Sequence, residues 1–357
     1  MLVKLQQDHD MHNTSNIKTD STAILKKYAQ LLIKNIKTHG FVPELLNLSQ
    51  TADFSSTRAL CQTRSIFYLV IMHQLSADDS YLDYALLLQQ QLKHHYFDQS
   101  ACDWRQYPNG KIMDNLYEYA FLLFGYSHLY QACKRQDFIA EIERLYTIVD
   151  RKFITNDFAI LRDNNGVLCQ NALMHLFEAL LAAFEATHTP QYKTAAEKLY
   201  QKILTWFYHP EKRLIAEYSG HNNIYEPGHS FEWACLIYQA RKLGLALPET
   251  LSFQEIATSA EKYGVSHNNL VKPDITADIE PTQYRIWPML ERLRYYAITE
   301  DSTQANQVLA IFHQFFIARQ LPVEYVDYQG TGQFNNVKST TGYHLINALR
   351  YYVNDMK

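Results

Sequence analysis

A chain of 357 residues, 47% hydrophobic and 20% charged, can bury one large core or two small ones, and its composition is neither that of a disordered chain nor that of a membrane protein. Its formal net charge of -4, with basic residues scattered, lacks the clustered positive face of a nucleic-acid binder, so small molecules or proteins are the expected partners. Five widely spaced cysteines without a C-x-x-C pair argue against a disulfide framework or a zinc cage and fit a reducing cytoplasm.

Residues 1–20 are polar and carry acids, so they read as a flexible arm rather than a secretory signal, with 21–357 as a single catalytic domain. From there helical periodicity dominates, and the protein reads as all-α. Helices are expected near 21–38, 58–76, 80–97, 113–135, 137–153, 171–187, 191–206, 228–243, 251–264, 283–298, 301–317 and 338–354. The longest apolar run, 66–72, is too short to span a bilayer, and no membrane association is expected.

Every second helix is apolar or aromatic nearly all round, while its neighbours carry Lys, Glu and Gln on one face. One polar or aromatic residue marks the start of each apolar helix: Arg64, Tyr117, His175, His229, Trp287 and His344. Their successive spacings are 53, 58, 54, 58 and 57 residues, the mark of a helix-pair repeat. Six helix hairpins can stack openly or close into a ring. Because the odd residues gather at one end of the inner helices, an (α/α)6 barrel is expected.

The mouth of such a barrel would collect Arg64, Tyr117, Glu118, Asn171, His175, Glu178, His229, Glu232, Trp233, Trp287, Glu291 and His344. Histidines, carboxylates, one arginine and aromatics suit a polar ligand such as a sugar. In the His229-x-x-Glu232 pair the carboxylate would hold the imidazole and raise its pKa while the helix start lowers it, leaving His229 near neutrality as a base. A second histidine, His344, would give or relay the proton, and Arg64 would face the enediolate formed beside a carbonyl. Neither cofactor nor metal is called for, since the His-x-x-Glu pairs are not placed face to face by a ring. A single buried histidine is more often a core residue than a catalyst, and Tyr117 and Trp287 could be plain core. Three histidines at one level weaken that duller reading. A glycoside hydrolase using Glu232 and Glu291, or a helical scaffold protein, are the other classes weighed.

The segments "QTR" at 62–64, "QNALMHLFEALLAAFEAT" at 170–187, "EPGHSFEW" at 226–233, "RIWPMLER" at 285–292 and "VKSTTGYH" at 337–344 make the chain resemble the N-acylglucosamine 2-epimerase superfamily. The resemblance covers nearly everything after the arm. It implies an (α/α)6 barrel and metal-independent proton transfer at carbon-2 of a ring-opened sugar. It assigns His229 and His344 to acid–base work, Glu232 to a carboxylate partner, Arg64 to the enediolate, and Asn171, His175, Trp287 and Glu291 to substrate. Tyr117, Glu178 and Trp233 join them as expected substrate contacts. His175 in "MHLFEA" resembles the aldose–ketose isomerases, so mannose–fructose interconversion is expected, with a 2-epimerase as the alternative. Homodimers are frequent in the superfamily, and one is possible here.

Overall fold

The computed structural model describes residues 2–47, 53–220, 224–275, 281–327, 329, 331–332, 336–353 and 356, with the backbone alone for 2–19. Met1 and the side chains of 2–19, most of the expected arm, therefore lie outside the described residues. Six outer helices are α1 (Leu2–His39), α3 (Asp79–Tyr96), α5 (Gln136–Val149), α7 (Pro190–Phe207), α9 (Phe253–Gly264) and α11 (Ser302–Phe316). They alternate with six inner helices: α2 (Ala59–Ser76), α4 (Leu116–Cys133), α6 (Gln170–Thr187), α8 (Pro227–Lys242), α10 (Ile286–Ile298) and α12 (Thr341–Leu349).

Each inner helix packs on the next, and α12 returns to α2, so the ring closes into an (α/α)6 barrel. The inner helices are apolar all round because both of their sides are covered. Outer helices show one polar face and use local start signals, such as the Ser252–Glu255 capping box of α9 and the Asp78 cap of α3. Among the described residues no helix is long and apolar enough to cross a membrane.

Several boundaries differ from the sequence-based expectation, each for a local reason. The helix expected at 137–153 widens into a π-turn over Asp150–Ile154. The one expected from 283 begins at Ile286, because Gln283–Arg285 pairs as an antiparallel strand with Tyr325–Asp327. The last begins at Thr341, since the Lys338 and Ser339 carbonyls accept from the Tyr28 hydroxyl in a preceding turn. Short two-stranded ribbons join several helices at the mouth; runs of two or three residues leave no period to read.

A cavity of about 140 Å³ opens at the N-terminal ends of the inner helices, and a larger one of about 850 Å³ opens at their C-terminal ends. Glu178 and Arg294 line the larger cavity. The polar layer between the two is where the chemistry-bearing side chains meet.

Candidate active site

All six inner helices place a residue from an early turn, or from the cap before it, at the smaller cavity: Arg64, Tyr117, Asn171 and His175, Glu226 with His229 and Glu232, Arg285 with Trp287, and His344. Six helix N-termini converging on one space favour negative charge there, before any side chain is counted.

The "EPGHSFEW" stretch shows how one helix is aimed. Pro227 fits the first turn of α8, where no amide hydrogen is needed. Gly228 is there for space: a Cβ on it would stand 2.6 Å from Trp287 Cη2 and 2.9 Å from Pro288 Cβ. The α8 start thus lies directly on the α10 start. Gly228→Ala is expected to cost about 1–3 kcal/mol through overpacking and to push the indole into the cavity; a thermal melt beside a KM measurement checks both.

His229 is 6% exposed, and its Nδ1 donates to Glu217 Oε1 at 2.8 Å, with Glu226 Oε2 at 3.4 Å. Burial alone would lower its pKa, but the two carboxylates outweigh it and hold the imidazole up at about 10. Two expectations fail here. The carboxylate bonded to His229 is Glu217 rather than Glu232, and the ring stands as a cation rather than near neutrality. Gln170 fixes Glu217 by donating to both of its oxygens at 3.2 Å, and Gln170 in turn accepts from Trp233 Nε1 at 2.8 Å.

His344 is built the same way with the opposite result. Its Nδ1 donates to Glu291 Oε1 at 2.6 Å, while Arg294 Nη1 donates to Glu291 Oε2 at 3.2 Å. Burial pushes the His344 pKa well below 6.5, and Arg64 and His175 push the same way. Its one carboxylate is shared with a guanidinium, so the ring stays neutral. Both imidazoles lean on Trp287, with ring centroids at 4.9 Å from His229 and 5.4 Å from His344. With each Nδ1 committed to a carboxylate, each Nε2 is left for a ligand. One histidine is a donor and the other an acceptor.

Arg64 is 5% exposed, and its guanidinium lies over the rings of Phe121 and Tyr343 at 4.2 and 4.7 Å. It donates to the Tyr117 hydroxyl at 2.6 Å and to the Thr340 carbonyl at 3.2 Å, and among the described residues no carboxylate pairs with it. A buried cation without a counter-ion is suited to an oxyanion. His175 is held by Glu178 at 3.3 Å, and burial lowers its pKa. Asn171 Oδ1 has no protein partner and remains available to a hydroxyl.

Four expected contacts are placed elsewhere. Trp233 is fully buried between Phe177 and Tyr200, behind the site rather than in it. Glu291 is fully buried under His344, and Glu178 lies beneath His175, where it accepts from Tyr343. Glu118 accepts from the Leu60 amide at 2.9 Å and holds the start of α2. In helices buried on both sides, position along the helix gives the level of a side chain but not its direction. Sequence reasoning missed Glu217, Glu226, Arg285, Tyr343 and Arg294.

Three groupings, His175/Glu178/Glu232, Glu217/Glu226/His229 and Glu232/Glu291/His344, bring possible metal-ligating atoms within 4.8 Å of one another. Their geometry is that of hydrogen-bonded pairs: protein N–H groups aim at Glu217 and Glu291, and Arg294 lies 3.2 Å from one carboxylate and 3.8 Å from another.

The fold and this acid–base layer define a helical-barrel enzyme. The sequence profile of the N-acylglucosamine 2-epimerase (GlcNAc 2-epimerase) family matches residues 40–333, and the chain belongs to that family of isomerases and epimerases. A mannose-6-phosphate isomerase of Rhizobium meliloti (strain 1021) is 25% identical over 228 residues, 54% of this chain and 57% of that protein, so the match spans little more than half of either. Among solved structures, a D-mannose isomerase superposes with a TM-score of 0.75 at 20% identity, covering 94% of this chain and 97% of that one. The cellobiose 2-epimerase from Bacillus thermoamylovorans B4167 gives 0.74 at 14% identity, covering 92% and 99%.

Proposed function

We propose that the protein is an aldose–ketose isomerase of the mannose–fructose type, which moves a proton between carbons 2 and 1 of a ring-opened sugar through an enediolate. The observation that carries this reading is the meeting at one small cavity of His229 and His344, each held at Nδ1 by a carboxylate, beside an arginine that among the described residues has none; the carboxylates around His229 raise its pKa while burial lowers that of His344. His344, neutral at Nε2, takes the carbon-bound proton, and its Nε2–H, exchanging with water while the enediolate stands, gives a proton to the neighbouring carbon. His229, as a cation, donates to the sugar oxygens, while Arg64 and the converging helix starts stabilise the enediolate. Asn171 and His175 meet hydroxyls, and the indole of Trp287 carries the sugar between the two rings.

The same two histidines could serve opposite faces of carbon-2, which is the sugar 2-epimerase reading. A cavity of about 140 Å³ fits a single hexose better than a disaccharide, which disfavours an epimerase of the cellobiose type. The ligand is a small sugar, with no nucleic acid or membrane involved.

Purified protein treated with a chelator is incubated with mannose, mannose 6-phosphate, glucose, N-acetylmannosamine and cellobiose, and the products are identified by NMR. Fructose from mannose is the expected result. A second aldose without ketose would move the assignment to an epimerase, and no product from any sugar would contradict both readings.

A further inference from the structure

Beneath the cavity, three carboxylates crowd around one guanidinium. Glu178, Glu232 and Glu291 are 3%, 1% and 0% exposed, and Arg294 bonds Glu291 at 3.2 Å and reaches Glu178 at 3.8 Å. Arg294 pairs with only two of the three, so one buried carboxyl is left without a cation in contact and is the one to hold a proton. The hydrogen bonds say which one. Glu291 receives His344 and Arg294. Glu178 receives Tyr343 at 2.5 Å and His175 at 3.3 Å, and it borders the larger rear cavity.

Glu232 has neither advantage. Its Oε2 lacks any protein partner, and its Oε1 lies 3.2 Å from the Tyr343 hydroxyl oxygen. A tyrosine has one hydroxyl proton, and the much shorter contact to Glu178 claims it. Two lone-pair oxygens would then face each other across 3.2 Å unless Glu232 itself supplies a proton. Glu232 also lines the catalytic cavity.

We infer that Glu232 works as a neutral carboxylic acid, kept protonated by the Tyr343–Glu178–Arg294–Glu291 layer so that an enediolate can form above it without repulsion. The inference rests on the proton-transfer reading of the site. His175 Nδ1 stands 4.0 Å from Oε1, beyond hydrogen-bond reach; burial and the two other carboxylates raise the Glu232 pKa and outweigh His229 on the same helix and Arg294, which favour ionisation. Tyr117 and Arg64 on the facing helices donate no hydrogen bond to it. Tyr343 and Glu178 are thereby positioning residues, acting on the substrate through Glu232 and, for Glu178, also through His175.

The test is isosteric. Gln copies a protonated Glu in shape and neutrality, so Glu232→Gln is expected to keep kcat within about tenfold of wild type, while Glu232→Leu loses about 100-fold or more. Infrared spectra read the state directly. The wild-type enzyme should show a protonated-carboxyl band at neutral pH that is missing in Glu232→Gln and shifted in Glu232→Asp, the second variant should Gln not fold. No such band assignable to Glu232, or Glu232→Gln as inactive as Glu232→Leu in a folded protein, would overturn the inference. If the wild-type enzyme exchanges no sugar proton, the proposed function fails, while the infrared band still decides the state of Glu232.

Discussion

Changing His344 to Gln is expected to lower kcat by about 10²–10⁴-fold while KM moves only a few-fold, the range for loss of a positioned base. Gln can still donate toward Glu291, so the carboxylate under the ring keeps its partners and the α10–α12 contact survives. The change removes the one neutral imidazole that faces the cavity from that wall. Steady-state kinetics with a thermal melt on the same preparation separates lost chemistry from lost fold. A variant with unchanged kcat and an unchanged melting temperature would remove His344 from the mechanism.

The second large effect is on pH dependence. His229 is held up at about 10 by Glu217 and Glu226 against its own burial, so below that value it is a cation, and above it the donor is lost. His344 is held down, so it remains a free base to well below 6.5, and protonation removes it only at acid pH. Activity resting on both is therefore flat between an acid limb well below 6.5 and an alkaline limb that begins near 10. Glu217→Gln removes the carboxylate bonded to the ring, leaving burial opposed chiefly by Glu226. The alkaline limb should move down toward the ordinary imidazole value of 6.5, with about tenfold less activity for each unit that the pH exceeds the new pKa. A pH–rate profile of the two proteins checks this, and superimposable profiles would mean that Glu217 does not set the state of His229.

The barrel was legible because its information is periodic. Six apolar helices alternate with six amphipathic ones, and the residues marking their starts recur every 53 to 58 positions from Arg64 to His344. Arg64, His175, His229 and His344 stood out for the same reason, as polar residues at one level of helices that are otherwise apolar. Pairings between them were not legible. Glu232 was matched to His229 because they share a helix face, yet α8 is covered on all sides, and its histidine meets a carboxylate from the 214–224 connection instead. Glu217 belongs to no repeat; its only signal is a lone acid between a two-residue strand and a loop. Trp233 was misread in the same way, since an inner helix apolar all round gives no hint of which aromatic faces the cavity and which faces the outer layer.

The account stands on two imidazoles in opposite protonation states acting on one sugar, the neutral one at carbon and the cationic one at oxygen. Deuterium at carbons 1 and 2, followed by NMR during mannose conversion in deuterated water, tests it most directly. Wild-type protein should place solvent deuterium at those carbons, with almost none appearing for His344→Gln. Turnover of mannose without any label at either carbon, or equal labelling by both proteins, would contradict it.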